Sequence, residues 1–286
     1  MENYTFNSVT LQMEGLKVTE KSMYPVFFFF LFAYIFVLVM NVGVSVLIII
    51  DRNLHQPMYL LFFNLSLSDI IGSTDIMPRL LTDCMVQAYI MQLFGTTTHT
   101  VLMIMAFDRY VAICNPLRYS VIMTNRMVVK LVLSAWGVAF VLVSVLMGLT
   151  IRLSRCRTLI KGPYCDNASL FKLSCESVFI NNVYGLTFTV VLTTASIGSM
   201  VGHHRRSLSS KALKTCSTHL LVFLVIILSG SIIIIMHRFP EHKDYAKLSG
   251  ILFVIVPGSL NPIIYGAQSK EIRQFFINKF NQLAKD

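Results

Sequence analysis

Charge is scarce in this sequence. Of 286 residues only 13% are Asp, Glu, Lys or Arg, against 55% that are hydrophobic. A soluble domain carries about 25% charged residues, so this chain has too little polar surface to cover a water-soluble body of its size. That excludes a soluble enzyme, a disordered protein and a nucleic-acid-binding module, and points to a polytopic membrane protein. Six cysteines are too few for a disulfide-built scaffold. No HExxH, GxSxG or P-loop motif is present, so the chain is read as no enzyme, with no cofactor and no metal. His203-His204-Arg205-Arg206 reads as a solvated charge run. Residues 1–22 lack a basic start followed by an apolar run, so no cleavable signal is expected.

Long apolar runs are abundant. Crossing the hydrocarbon core takes roughly 20 apolar residues. Seven stretches qualify, at 25–50, 57–80, 85–112, 131–151, 178–201, 218–236 and 248–266, and they fill more than half the chain. They are continuous rather than alternating, which selects helices over a barrel. The expected fold is therefore an all-α bundle of seven transmembrane helices. Its organisation would be an extracellular tail over 1–24, a membrane domain over 25–266 and a cytoplasmic tail over 267–286. The net charge of +10 fits cations placed near anionic lipid.

With the N-terminus outside, the cytoplasmic segments hold thirteen Lys and Arg and the outer ones eleven. The bias is small in total, but the 202–217 loop is wholly basic. Two glycosylation acceptors, Asn3 and Asn167, then fall outside. Cys156, Cys165 and Cys175 crowd the same outer loop, the oxidising side. Together with Cys84 they allow three pairings.

Polar groups inside apolar runs carry the functional signal, because an intramembrane charge costs about 2.5–3.5 kcal/mol even on insertion scales. Asp69 lies near the middle of span 2, and Asn41 in span 1 and Asn261 in span 7 are its candidate partners. Asn261-Pro262 breaks the backbone ladder of span 7 and predicts a kink there. Asp108-Arg109-Tyr110 ends span 3 at the cytoplasmic boundary, where an adjacent acid and base pair locally until the helices part. Gln92 and Thr96 lie one turn apart in span 3 and form a polar strip in an apolar wall. No acid occupies the outer half of span 3, which argues against a biogenic-amine pocket.

Four stretches then match a family. PMYLLFFNLSLSD over 57–69, MAFDRYVAICNPLRY over 105–119, KALKTCSTHL over 211–220 and NPIIYG over 261–266 resemble the odorant (olfactory) receptors, within the rhodopsin-like G-protein-coupled receptors. The wording around 95–100 and 182–186 is similar to the fish branch. The resemblance implies an odorant receptor in the plasma membrane with its N-terminus extracellular. Its partners would be a small-molecule odorant, a stimulatory (olfactory-type) heterotrimeric G protein and lipid, and no nucleic acid.

By the same resemblance Asp108, Arg109 and Tyr110 meet the G-protein α subunit, and Asn41, Asp69, Asn261, Pro262 and Tyr265 relay the signal. Lys211, Lys214 and His219 begin the sixth helix, which swings outward. Residues 270–280 form a short interfacial helix, with Ile272, Phe275, Phe276 and Phe280 on one face. Cys84, 25 residues before Arg109, pairs with Cys165, and Cys156 pairs with Cys175. The ligand is expected among Met91, Gln92, Gly95, Thr96, Tyr184, Thr187, Gly230, Ser231, Ile234, Ile251 and Val254.

The chain also departs from the family pattern. Arg79–Asp83 makes a short join into Cys84, and span 5 is read as ending at Val201, about two turns early and without the family's Ser-Tyr pair. Thr98 stands where many members have a glutamate, and Ile226-Ile227-Leu228 replaces an aromatic motif. These departures keep two further readings in view: a partly deleted receptor, coupling poorly or retained in the endoplasmic reticulum, and a small-molecule transporter. The transporter reading requires inverted repeats, which the sequence does not show.

Overall fold

A computed structural model describes residues 12–13, 20–76, 84–160, 164–206, 210–236, 243–269, 272 and 274. Seven long helices are found among them: α1 (Glu20–Ile50), α2 (Pro57–Ile76), α3 (Cys84–Cys114), α5 (Asn125–Ile151), α7 (Phe179–Arg206), α8 (Ser210–Met236) and α9 (Lys243–Gln268). Two short helices join them, α4 (Tyr119–Ile122) after α3 and α6 (Asn167–Phe171) in the loop before α7. Two short strands, β1 (Gln12–Met13) and β2 (Leu159–Ile160), pair in parallel and tie the N-terminal segment to that loop.

Local chemistry sets the ends. Pro57 opens α2, where its missing N–H is one that no helix would satisfy. Thr124 caps α5 by accepting the Met127 N–H at 3.2 Å, a device that contributes about 1 kcal/mol. The helix consequently starts at Asn125, six residues before the apolar run at 131. The same effect corrects the reading of the fifth and sixth spans. Gly202–Arg206 completes α7 and Ser210–Ser217 opens α8, so these residues are not a basic loop and the fifth helix does not stop at Val201. Apolarity marks only the part of a helix that lipid can cover, whereas hydrogen bonding continues through polar turns.

α3 lies at the centre and packs on α2, α5, α7 and α8, while α1 packs on α2 and α9. The main apolar core joins Leu47, Phe62, Leu65, Leu102, Met105 and Phe223, and Ile272 packs into it beyond the end of α9. A second core under the α5–α7 loop joins Ala88, Val143, Met147, Ile160, Cys165 and Leu173. Large apolar side chains also face outward. Phe27, Phe28, Phe29 and Phe32 on α1 are all more than half exposed. Three of the described helices, Met23–Ile50, Cys84–Cys114 and Asn125–Ile151, are long and apolar enough to cross a membrane. An apolar surface of this extent is a liability in water and the ordinary state against lipid chains.

The α5–α7 loop is fastened at several points. Cys84 is bonded to Cys165, and Cys156 to Cys175, each with Cα atoms 5.4 Å apart. Gln87 of α3 donates to the Asp75 carbonyl at 3.0 Å and accepts the Cys165 N–H at 2.8 Å, which joins α2, α3 and the loop. Glu176 accepts from both the backbone and the hydroxyl of Ser154, and these bonds hold its carboxyl below the usual range. The short join at 79–83, Asn3 and most of 270–280 lie outside the described residues.

Candidate functional site

Three polar assemblies run through the bundle. One is at the C-terminal end of α3. Asp108 is fully buried, and Arg109 donates to its Oδ2 from both Nε and Nη2, with Nε at 2.8 Å. Tyr119, brought back by the turn after α3, donates its hydroxyl to Asp108 Oδ1 at 2.8 Å. Burial first, and then the Asp108 charge, push the Tyr119 phenol above its ordinary value, so it stays a donor at neutral pH. The carboxylate is shared by two donors, and Arg109 is held against its own neighbour. The α8 backbone carries Lys211, Lys214 and His219 in its first turns.

The second assembly lies deeper, where α1, α2 and α9 meet. Pro262 has no N–H, so the carbonyl four residues back, at Gly258, loses its helical donor. Asn41 of α1 supplies one, donating Nδ2 to the Gly258 oxygen at 2.9 Å and to Val37 at the same distance. The α9 helix accordingly continues through Pro257 and Pro262 to Gln268. A Cβ on Gly258 would lie 3.1 Å from Val37 Cγ1, so the absent side chain is what lets α1 and α9 approach. Asn261 donates Nδ2 to Asp69 Oδ2 at 2.8 Å. Asn41, Asp69 and Asn261 are each fully buried, and one oxygen on each has no partner. The cluster is therefore only partly satisfied within the protein. Thr98 does not join them: its hydroxyl and that of Thr97 lie 3.3 and 3.1 Å from Ser68 Oγ. Tyr265 belongs to α9, as the helix range includes it.

The third assembly is a cavity of about 300 Å³ between α3, α7, α8 and α9, under the loop before α7. From α3 it takes Met91, Gln92, Gly95, Thr96 and His99. From α8 it takes Ile226, Ile227, Gly230, Ser231 and Ile233, and from α9 Phe253. Six of the residues expected to hold ligand therefore share one wall: Met91, Gln92, Gly95, Thr96, Gly230 and Ser231. Gly95 and Gly230 flank the Phe253 ring, whose atoms come within 3.8 and 3.4 Å of where their Cβ atoms would be. Phe253 also meets Phe94 edge to face, with centroids 6.1 Å apart.

The sequence reading is corrected on α7 and α9. Tyr184 turns to α5 and donates to the Leu142 carbonyl at 3.0 Å, and Thr187 is exposed outside the lining. Asn181, Gly185, Phe188, Thr189 and Leu192 form that wall instead. On α9, Ile251 and Val254 are buried in helix contacts and Phe253 takes the place expected of them. Each residue turns a helix face by about 100°, so an error of one or two positions selects another face. His99 was legible in principle, because it continues the Gln92–Thr96 strip by three residues. Ile234 lies on α8 within its helix range.

The outer rim comes from the loop: Tyr164, Asp166, Asn167, Ala168 and Phe171. Tyr164 is almost fully buried and abuts Gly250 of α9, where any Cβ would collide with its phenol. Burial first, then the Asp166 charge, push this phenol upward as well. Asp166 caps α6 by accepting the Ser169 N–H at 2.8 Å. Asn167 is buried in the cavity wall, near Thr150 at 3.3 Å. The structure thus places this expected glycan acceptor in the rim of the cavity, with its Nδ2 enclosed.

The comparisons agree with this geometry. A family model described as olfactory receptor matches residues 30–283. Olfactory receptor 8G1 of Homo sapiens is 31% identical, over 91% of this chain and 91% of its own length. Olfactory receptor 8B12 of Homo sapiens is 33% identical, covering 91% and 92%. Olfactory receptor 6E1 of Mus musculus is 32% identical, covering 83% and 85%. A match across nearly the whole helical bundle, from relatives of nearly equal extent, places this membrane protein in the olfactory receptor family.

Proposed function

We propose that the chain works as an odorant-binding G-protein-coupled receptor of the plasma membrane. The seven long helices each cross the bilayer, with the N-terminus outside and a short helix after α9 on the inner leaflet. A small odorant enters the cavity between α3, α7, α8 and α9 and biases the bundle toward a state in which α8 and α9 shift. The buried polar groups at Asn41, Asp69 and Asn261 re-pair as Pro262 moves. Arg109 then leaves Asp108 and meets a stimulatory G-protein α subunit, beside Tyr110, Lys211, Lys214 and His219.

One observation carries this reading: the cavity and the Asp108–Arg109 pair are built on the same helix. α3 contributes Gln92, Thr96 and His99 to the cavity and Arg109 to the inner face. A ligand acts on such a device only through a difference in affinity between two states. Leaving a fully buried Asp108 costs Arg109 its pairing, so the closed state is the default without ligand.

The test is an odorant screen with a cAMP readout, in cells expressing an olfactory-type Gα and this chain bearing a surface tag. Odorants are expected to raise cAMP in a dose-dependent way. Arg109→Ala is expected to lower that response at least tenfold at equal surface expression. Silence to every odorant by a receptor that reaches the surface would overturn the proposal.

A further inference from the structure

The cavity wall holds hydrogen-bonding groups that the protein leaves unmet. Asn181, in the first turn of α7, is fully buried, and neither its Nδ2 nor its Oδ1 has a partner. Because both atoms are unmet, an exchange of the amide's two ends changes nothing. Asn167, in the same lining, is buried with its Nδ2 unmet, and on α3 His99 is partly buried with its Nδ1 enclosed and unmet. A neutral imidazole has one donor and one acceptor nitrogen. The enclosed Nδ1 of His99 therefore counts as one unmet group, donor or acceptor according to tautomer.

The unmet groups in the wall are mostly N–H donors, two on the Asn181 amide and two on the Asn167 amide. No lysine or arginine lines the cavity among the described residues, and its one acid, Asp166, is engaged in capping α6. A carboxylate or phosphate would find no counter-ion here, and burying an unpaired charge is far costlier than burying a neutral acceptor. The remaining lining is dominated by apolar side chains such as Met91, Leu192, Ile226 and Phe253.

We infer that the cavity selects small neutral molecules bearing a carbonyl oxygen, with the wholly unmet Asn181 amide as its donor. This rests on the proposed receptor reading for the location of the ligand and adds its chemical class. A carbonyl oxygen accepts from this amide, whereas a hydrocarbon of the same size leaves it unmet. Recovering one such buried hydrogen bond is worth about tenfold in affinity.

The test measures binding without signalling. The full chain in lipid nanodiscs is titrated with octanal, acetophenone, octanol and octane, and its thermal unfolding is followed. Octanal and acetophenone are expected to raise Tm at concentrations about tenfold below those at which octane acts. Asn181→Leu is expected to remove that preference while leaving the ligand-free Tm unchanged or higher, since it deletes an unmet amide. His99→Gln, which leaves the Asn181 amide in place, is expected to retain it. Equal action of octane and octanal, action by octanol alone, no stabilisation by either carbonyl probe, or a preference surviving Asn181→Leu would each overturn the inference. Should Asn181→Leu not fold, the four-probe comparison on the unaltered chain decides alone. Carbonyl-selective binding without cAMP would fail the receptor reading and leave this one standing, and cAMP responses without carbonyl preference would do the reverse.

Discussion

At the scale of single residues, the role of Asn41 follows from a group it does not touch covalently. Pro262 withdraws an N–H from Gly258, and Asn41 restores a donor from another helix. Asn41→Ala is expected to leave a fully buried carbonyl unmet and to destabilise the receptor by about 1–3 kcal/mol. The same substitution in a Pro262→Ala background is expected to cost less, because residue 262 then supplies its own N–H. Thermal unfolding of the four proteins in one detergent measures the coupling. Asn41 and Pro262 were both legible as polar and helix-breaking features in the sequence. Their connection was not, since it spans 217 positions and depends on how α1 lies against α9.

At the scale of elements, helix existence was legible and helix ends were less so. Every apolar run of bilayer length corresponds to a long helix, because runs of that kind have no other way to satisfy their backbone in lipid. The polar turns at Asn125–Lys130, Gly202–Arg206 and Ser210–Ser217 were missed as helix, because hydropathy does not report hydrogen bonding. The loop before α7 gains its order from cross-links rather than from secondary structure. The Cys156–Cys175 bond closes a segment of 19 residues and the Cys84–Cys165 bond one of 81. On chain-entropy grounds the first contributes about 3 kcal/mol and the second about 4.5 kcal/mol. Cys84→Ser is therefore expected to lower Tm more than Cys156→Ser, and to lower ligand affinity as well, because Cys165 adjoins the rim residues Tyr164 and Asp166. Unfolding curves and probe titrations of the two variants check both outcomes.

At the scale of the whole molecule, the orientation in the membrane governs which chemistry each end meets. With the N-terminus outside, an N-terminal tag is expected to be labelled on intact cells and a C-terminal tag only after permeabilisation. Glycosidase treatment is expected to shift the electrophoretic mobility of the unaltered chain. Asn3→Gln is expected to abolish that shift, and Asn167→Gln to leave it unchanged because Asn167 is enclosed by the loop and α5. A C-terminal tag labelled on intact cells would contradict this orientation.

The sequence by itself determined that this is a membrane protein, where the long helices among the described residues run and which polar groups they carry. These are properties of composition and local order, and the bilayer acts on them one segment at a time. Only the tertiary structure decided which faces meet: that Phe253 rather than Ile251 or Val254 closes the cavity, that Tyr184 bonds α5, and that the Asn181 amide stands unmet in the cavity wall. A helix turns about 100° per residue, so the facing of a side chain depends on rotations and contacts that no single segment fixes alone.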